Sequence, residues 1–357
     1  MKKTTVFILI ILLIIPLFSA KSSNNILIRG VKIYQYNGNL TKLFKEFKSL
    51  NINTVLVGEK LAKNKNFYKT AKLFGIKTFI VFPVFCSPAS PFKDKSLYAI
   101  NGYGKIAKDE WVNFASPSND KYRKAKLAEL KNIIKQYNPD GISIDFIRYF
   151  VYWEKVFPET KIDPLLNTSF DDNSIKKMEK NLGFKLPSNL KTITEKARWI
   201  LKYHKKEWVN WKTDTIASMV KDISETAKSI KPDILLNIHI IPWREKDFDN
   251  GIKVIAGQDI KKLSKFVDYI SPMCYWHMVK RSPKWIHSVV KDIARFTNKP
   301  ILPSIQVNRE YLKENITYKS FRNSFYSAIK KPSSGIIFWK WEFFENQPIK
   351  KKIFKEN

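Results

Sequence analysis

Cysteine is almost absent from this chain: Cys86 and Cys274 are the only two in 357 residues. Each sits in an apolar, strand-like run, FPVFCS and SPMCYW, and two such residues make no disulfide framework, so buried free thiols are expected. Histidine is scarce as well. His277 and His287 have no metal-ligand spacing with other His, Asp or Glu, so no metal site and no cofactor are expected. No glycine-rich dinucleotide loop follows the first strand-like run, which argues against a doubly wound nucleotide-binding sheet. Acidic residues are outnumbered, 32 Asp and Glu against 64 Lys and Arg, for a net charge of +32. That surplus has two readings: attraction to a polyanion, or the lysine-rich drift of an AT-rich genome. The lysines are spread along the whole chain and no nucleic-acid-binding module accompanies them, so nucleic acid is not an expected partner.

Long apolar runs are also few. Lys2 and Lys3 precede one uncharged run from Val6 to Ala20, which has the form of a secretory signal over residues 1–20. A membrane span needs about 20 apolar residues, so the run is short for one. Contact with a membrane is expected only if the signal stays uncleaved as an anchor, and no cysteine follows it to carry a lipid. The expected location is outside the cell or in its envelope. The oligomeric state is open.

What the chain does have is a repeated beat of strand-like run, polar punctuation and helical pattern. ILIRGVKIYQY (26–36) precedes a helix with Leu40, Leu43, Phe44 and Phe47 on one face, and NTVLVGE (53–59) precedes a helix ending near Phe74. IKTFIVFPVF (76–85) forms a third strand. A helix over 121–137 and a fourth strand over 140–147 follow. The beat then breaks for residues 150–205, read as a helical insertion, and resumes with a helix over 208–230 and strands at 233–241, 267–276, 300–308 and 335–343. Residues 346–357 read as a basic tail. Eight strand–helix units, with 44% hydrophobic residues to fill a core, point to an α/β fold of the (β/α)8 TIM-barrel class over 26–345.

In such a barrel the chemistry lies at the C-terminal ends of the strands. Alternation in DGISID puts Gly141, Ser143 and Asp145 on one face, and the isoleucines between them suit the helix-facing side. The same logic turns Asn237 and His239 of strand five inward. Strand six then offers Tyr275, and strand seven offers Gln306. Trp153, Trp243, Trp276, Trp339 and Trp341 fall in or just after strand ends, a pattern suited to carbohydrate. Hydroxyls need paired polar groups, and flat C–H faces lie well on aromatic rings.

Glycoside hydrolysis needs two carboxyl groups, about 5–5.5 Å apart for retention and about 6.5–9.5 Å for inversion. Asp145 is the first, as nucleophile or as base. Glu342 is the leading choice for general acid, with Glu59 and Glu245 as rivals. Arg148 is placed to hold Asp145 ionised.

The stretches FASPSNDKYRKAKLAELKNIIKQYNPDGISIDFIRYF, MEKNLGFKLP, WVNWKTDTIASMVKDISETAKSIKPDILLNIHIIPW and GQDIKKLSKFVDYISPMCYW resemble the glycosyl hydrolase-like TIM-barrel families, notably family ten. The resemblance covers residues 26–343. It implies an exported, sugar-active barrel with Asp145, Arg148 and Tyr149 at the family's acid, arginine and tyrosine positions. Ser143 and Phe150 stand where relatives carry histidine and proline. Two readings follow. The first is a glycoside hydrolase acting on an extracellular or envelope polysaccharide, neutral or anionic. The second is a barrel that binds glycan without cleaving it. Arg148, Tyr149, His239, Trp243, Tyr275, Trp276, Gln306 and Trp339 are the expected substrate contacts.

Overall fold

The computed structural model describes residues 28–87, 92–108 and 112–356. The run read as an export signal lies outside them. Eight parallel strands follow in chain order: β1 (Ile28–Ile33), β2 (Thr54–Val57), β3 (Lys77–Pro83), β4 (Gly141–Asp145), β5 (Leu235–Ile240), β6 (Tyr269–Pro272), β7 (Ser304–Gln306) and β8 (Gly335–Trp339). Neighbours pair in sequence order and β8 pairs with β1. The remaining seam, between β6 and β7, is joined by Leu302 N–H donating to Ile270 O at 2.8 Å and Ile270 N–H to Pro300 O at 3.1 Å. The sheet therefore closes into the expected (β/α)8 barrel.

All eight strands fall where the sequence places them, each shorter than its apolar run. Backbone pairing stops at the rim while the apolar pattern continues into loops. Outward residues such as Val31, Val55, Ile80, Ile142, Ile144, Leu236, Ile238 and Phe338 are buried against the helical layer. Inward residues build the barrel interior in two tiers. At the bottom Ile28, Leu56, Phe79, Val81, Leu302 and Ile337 form an apolar plug. Above it lies a hydrogen-bonded polar belt. Ser271 donates to Asn237 at 2.7 Å, Asn237 donates to Ser143 at 2.9 Å, and Ser143 meets His239 Nε2 at 2.8 Å.

The helices begin where short polar side chains take over the first free N–H groups. Asn39 caps α1 (Leu40–Ser49), and Asn64 caps α2 (Lys65–Leu73). Asn119 caps α3 (Asp120–Tyr137). Residues 150–205 carry two helices, α4 (Asp172–Leu182), capped by Asp171 and ended by Gly183 at φ 72°, and α5 (Ile193–Tyr203), opened by a Thr192/Glu195 capping box. They share a separate small core with the start of α6 (Lys205–Ile230), where Phe170 stacks on Trp208 at 5.0 Å.

A buried hydroxyl cluster latches this insertion to the loop before α3. Ser116 bonds Ser118, Ser169 and Ser174 at 3.1–3.3 Å, and both Ser116 and Ser174 donate to Asp171. The basic tail is also tied down. Residues 348–355 form a 3-10 segment in which Ile353 is buried and Phe354 packs against Phe338 and Phe344.

Gly141 opens β4 where no side chain fits. A Cβ there would collide with the Phe79 ring and come within 2.7 Å of the Leu235 carbonyl oxygen. Gly141→Ala should cost about 1–3 kcal/mol by forcing the plug apart, seen as a lower Tm. An unchanged Tm would mean the plug yields freely.

Candidate active site

A cleft opens at the C-terminal end of the barrel, lined by residues from β1, β4 and β8 and from the loops that follow β1, β4, β6 and β7. At its floor is Asp145, the last residue of β4, 7% exposed. One carboxylate oxygen accepts the Phe146 N–H at 2.8 Å. The other lies 3.6 Å from the ammonium of Lys32, near the end of β1 and 1% exposed. Burial by itself would push Asp145 up. The attraction of Lys32 leads the opposing influences, joined by the Phe146 N–H and Arg148, and the net direction is down. The ammonium of Lys32 is lowered by burial, against the pull of Asp145. Asp145 is thus a carboxylate held in its ionised form.

His239 sits beneath this pair, 1% exposed, bonded through Nε2 to Ser143. Burial first, then the neighbouring Lys32 charge, push its imidazole down to about 3, so it is neutral in the belt. Arg148 lines the cleft beside Asp145, anchored by its Nη1 on Val151 O at 2.9 Å and flanked by the rings of Phe114 and Phe146. Opposite runs an aromatic wall. Trp339 stacks on Tyr275 with centroids 4.5 Å apart, and Tyr275 faces Trp153 at 5.8 Å. The buried indole N–H of Trp153 has no partner among the described residues. Tyr34, Met273, Met278 and Tyr311 complete the lining.

Of the residues picked from sequence, the cleft brings together Asp145, Arg148, Tyr275, Trp339 and Trp153, with His239 just below. The others lie elsewhere. Glu59 opens the short helix after β2, with its side chain 69% exposed and paired with Lys63. Glu245 pairs with Arg295 at 3.1 Å. Glu342 is on the helix after β8, where its Oε1 accepts the backbone N–H groups of Tyr34 and Gln35 at 2.8 and 2.9 Å. Tyr149 is fully buried, its N–H on Ala256 O and its ring beneath Lys212. Trp243 packs on Phe248 and lines a different crevice. Trp276 is turned edge-on to His277, and Trp341 edge-on to Phe47 in the helical layer. Gln306 is buried, accepting Met278 N–H and donating to Asn308 O, so it fixes the loop that carries Met278.

Reading the sequence missed Lys32, Tyr34 and Glu154. Alternation was a usable signal for Lys32, which follows Ile28 and Gly30 on the inward face of β1. Glu154 sits in an irregular loop where no period applies. Among the described residues no group of three or more His, Cys, Asp or Glu is placed to hold a metal ion.

No protein-family model matches the chain, and no curated protein does. Solved structures do. The glycoside hydrolase domain of PgaB (BpsB) from Bordetella bronchiseptica superposes with a TM-score of 0.69 at 12% identity, over 91% of this chain and 97% of that one. The fold is shared with glycoside hydrolase barrels. A polyextremophilic β-galactosidase from Halorubrum lacusprofundi matches with a TM-score of 0.61 at 9% identity, over 87% of this chain. The β-galactosidase of Marinomonas ef1 matches with a TM-score of 0.60 at 10% identity, also over 87%. The chain spans only 52% and 54% of those two enzymes. At such identities the likeness is one of fold, and it does not distinguish family ten from other glycoside hydrolase barrels.

Two titrations check the electrostatics. In Lys32→Met the counter-charge is gone and burial dominates, so the Asp145 carboxyl should titrate above the usual value of about 3.9, where the wild type titrates below it. Carboxyl NMR reads the difference, and a common titration point would remove Lys32 from the account. His239 is kept neutral by the fold, whereas the unfolded chain takes a proton near pH 6.5. Wild-type stability should therefore fall from about pH 6.5 towards pH 3, with a slope of at most about 1.4 kcal/mol per pH unit. His239→Gln should flatten that slope in denaturant titrations; an equal slope would place the lost protons elsewhere.

Proposed function

We propose that the chain is a glycoside hydrolase of the glycosyl hydrolase-like TIM-barrel families, acting on an extracellular or cell-envelope polysaccharide. One observation carries the reading. An ionised, buried carboxylate, Asp145 held by Lys32, faces a wall of stacked aromatic rings across a single cleft at the barrel mouth. Sugar rings lie on aromatic faces through their C–H bonds, and their hydroxyls need donors and acceptors of the kind Arg148, Tyr34 and the Trp153 indole present. The oxocarbenium-like transition state of glycosidic cleavage develops positive charge at the anomeric carbon. A carboxylate fixed in its charged form by Lys32 is suited to meet that charge, either by attacking as nucleophile or by activating water. Export through the N-terminal run would bring the protein to such polymers. The fold shared with the PgaB hydrolase domain and the two β-galactosidases supports the same reading.

The test is release of reducing ends from a panel of neutral and anionic polysaccharides. Wild type should cleave at least one of them. Asp145→Asn should lose at least about 100-fold in rate while still binding the glycan. Binding by the wild type without cleavage of any member would favour the glycan-binding alternative.

A further inference from the structure

We propose that Glu154 is the general acid of this site, the carboxyl that protonates the departing glycosidic oxygen. The inference rests on the hydrolase reading above. Two carboxyl groups line the cleft, Asp145 and Glu154. Asp145 lies against the Lys32 ammonium and is held charged, so it is the wrong partner to deliver a proton. Glu342, Glu59 and Glu245 are not among the residues that line this cleft; Glu342 Oε1 accepts the N–H groups of Tyr34 and Gln35, and Glu59 and Glu245 pair with Lys63 and Arg295.

Glu154 has the setting an acid needs. It stands in the 3-10 turn Trp153–Lys155 on the loop after β4. Trp153, 1% exposed and facing Tyr275, fixes the turn from below, and Arg148 fixes the loop before it through Val151 O. The side chain itself is only half-buried, so it can regain a proton from solvent between turnovers. Both carboxylates act on the same phenol: after burial and the neighbouring Tyr34, Asp145 and then Glu154 add to the upward push on Tyr275.

In the reaction the C–O bond at the anomeric carbon breaks, its electron pair passes to the leaving oxygen, and that oxygen takes the Glu154 proton. The anomeric carbon is taken by a water oxygen that gives its proton to Asp145, or by an Asp145 oxygen. In the second case a water deprotonated by Glu154 then displaces the carboxylate. Each route consumes one water; on the first, Asp145 then gives its proton to solvent and Glu154 regains one, and on the second the attacking water returns the proton to Glu154 directly.

Leaving-group dependence tests the assignment, because a good leaving group departs without a proton. On the sugar that the wild type cleaves, Glu154→Gln should lose about 100-fold or more in kcat/KM with an alkyl glycoside, yet stay within about tenfold with the 2,4-dinitrophenyl glycoside. It should also lose the basic limb of the pH profile, with an unchanged Tm. Equal losses on both substrates, or no loss on either, overturn the acid role and leave Asp145 untouched. A wild type that cleaves no glycoside in the panel overturns the hydrolase reading itself, and the acid role with it.

Discussion

The ion pair between Lys32 and Asp145 organises the site. Two opposite charges almost free of solvent are costly apart, because each has given up its hydration, and tolerable together because the mutual attraction is strong where the dielectric is low. The barrel brings them together from strands far apart in sequence, β1 and β4, at 3.6 Å. Much of the surrounding structure holds that geometry. The Phe146 N–H takes one oxygen of Asp145, and Glu342 fastens the chain just after β1 by accepting the N–H groups of Tyr34 and Gln35. His239 stays neutral beside them, so the belt below adds dipoles without a third charge.

Around that pair the mouth is built in contrasting materials. The floor is a polar belt resting on an apolar plug, and the wall is a stack of aromatic rings. The loop after β4 joins the two: Phe146 and Arg148 lie beside the carboxylate, while Trp153 and Glu154 reach the wall. Farther out, the serine cluster ties the helical insertion to the loop before α3, so the long excursion after β4 is anchored by buried hydrogen bonds as well as by its own small core.

Much of this was legible in the linear pattern. Period-two alternation placed Gly141, Ser143 and Asp145 inside the barrel, and the same rule placed Asn237 and His239 beside them. It was less useful past the strand ends, where the period lapses. Trp339 is the last residue of β8 and faces the cleft, while Trp341, two residues later, has entered a helix and turned its indole into the helical layer. Tyr149 and Trp243 were lost in the same way, since a loop can aim neighbouring side chains in any direction.

By itself the sequence determined the eight-unit barrel, the order of its strands and the inward placement of Asp145, because each depends on local periodicity and on burial of apolar faces. Tertiary structure alone decided the partners. Lys32 meets Asp145, Glu342 turns to the backbone, and Glu154 comes to the cleft, because contacts between residues tens to hundreds apart are fixed only when the barrel closes and its loops pack across the mouth.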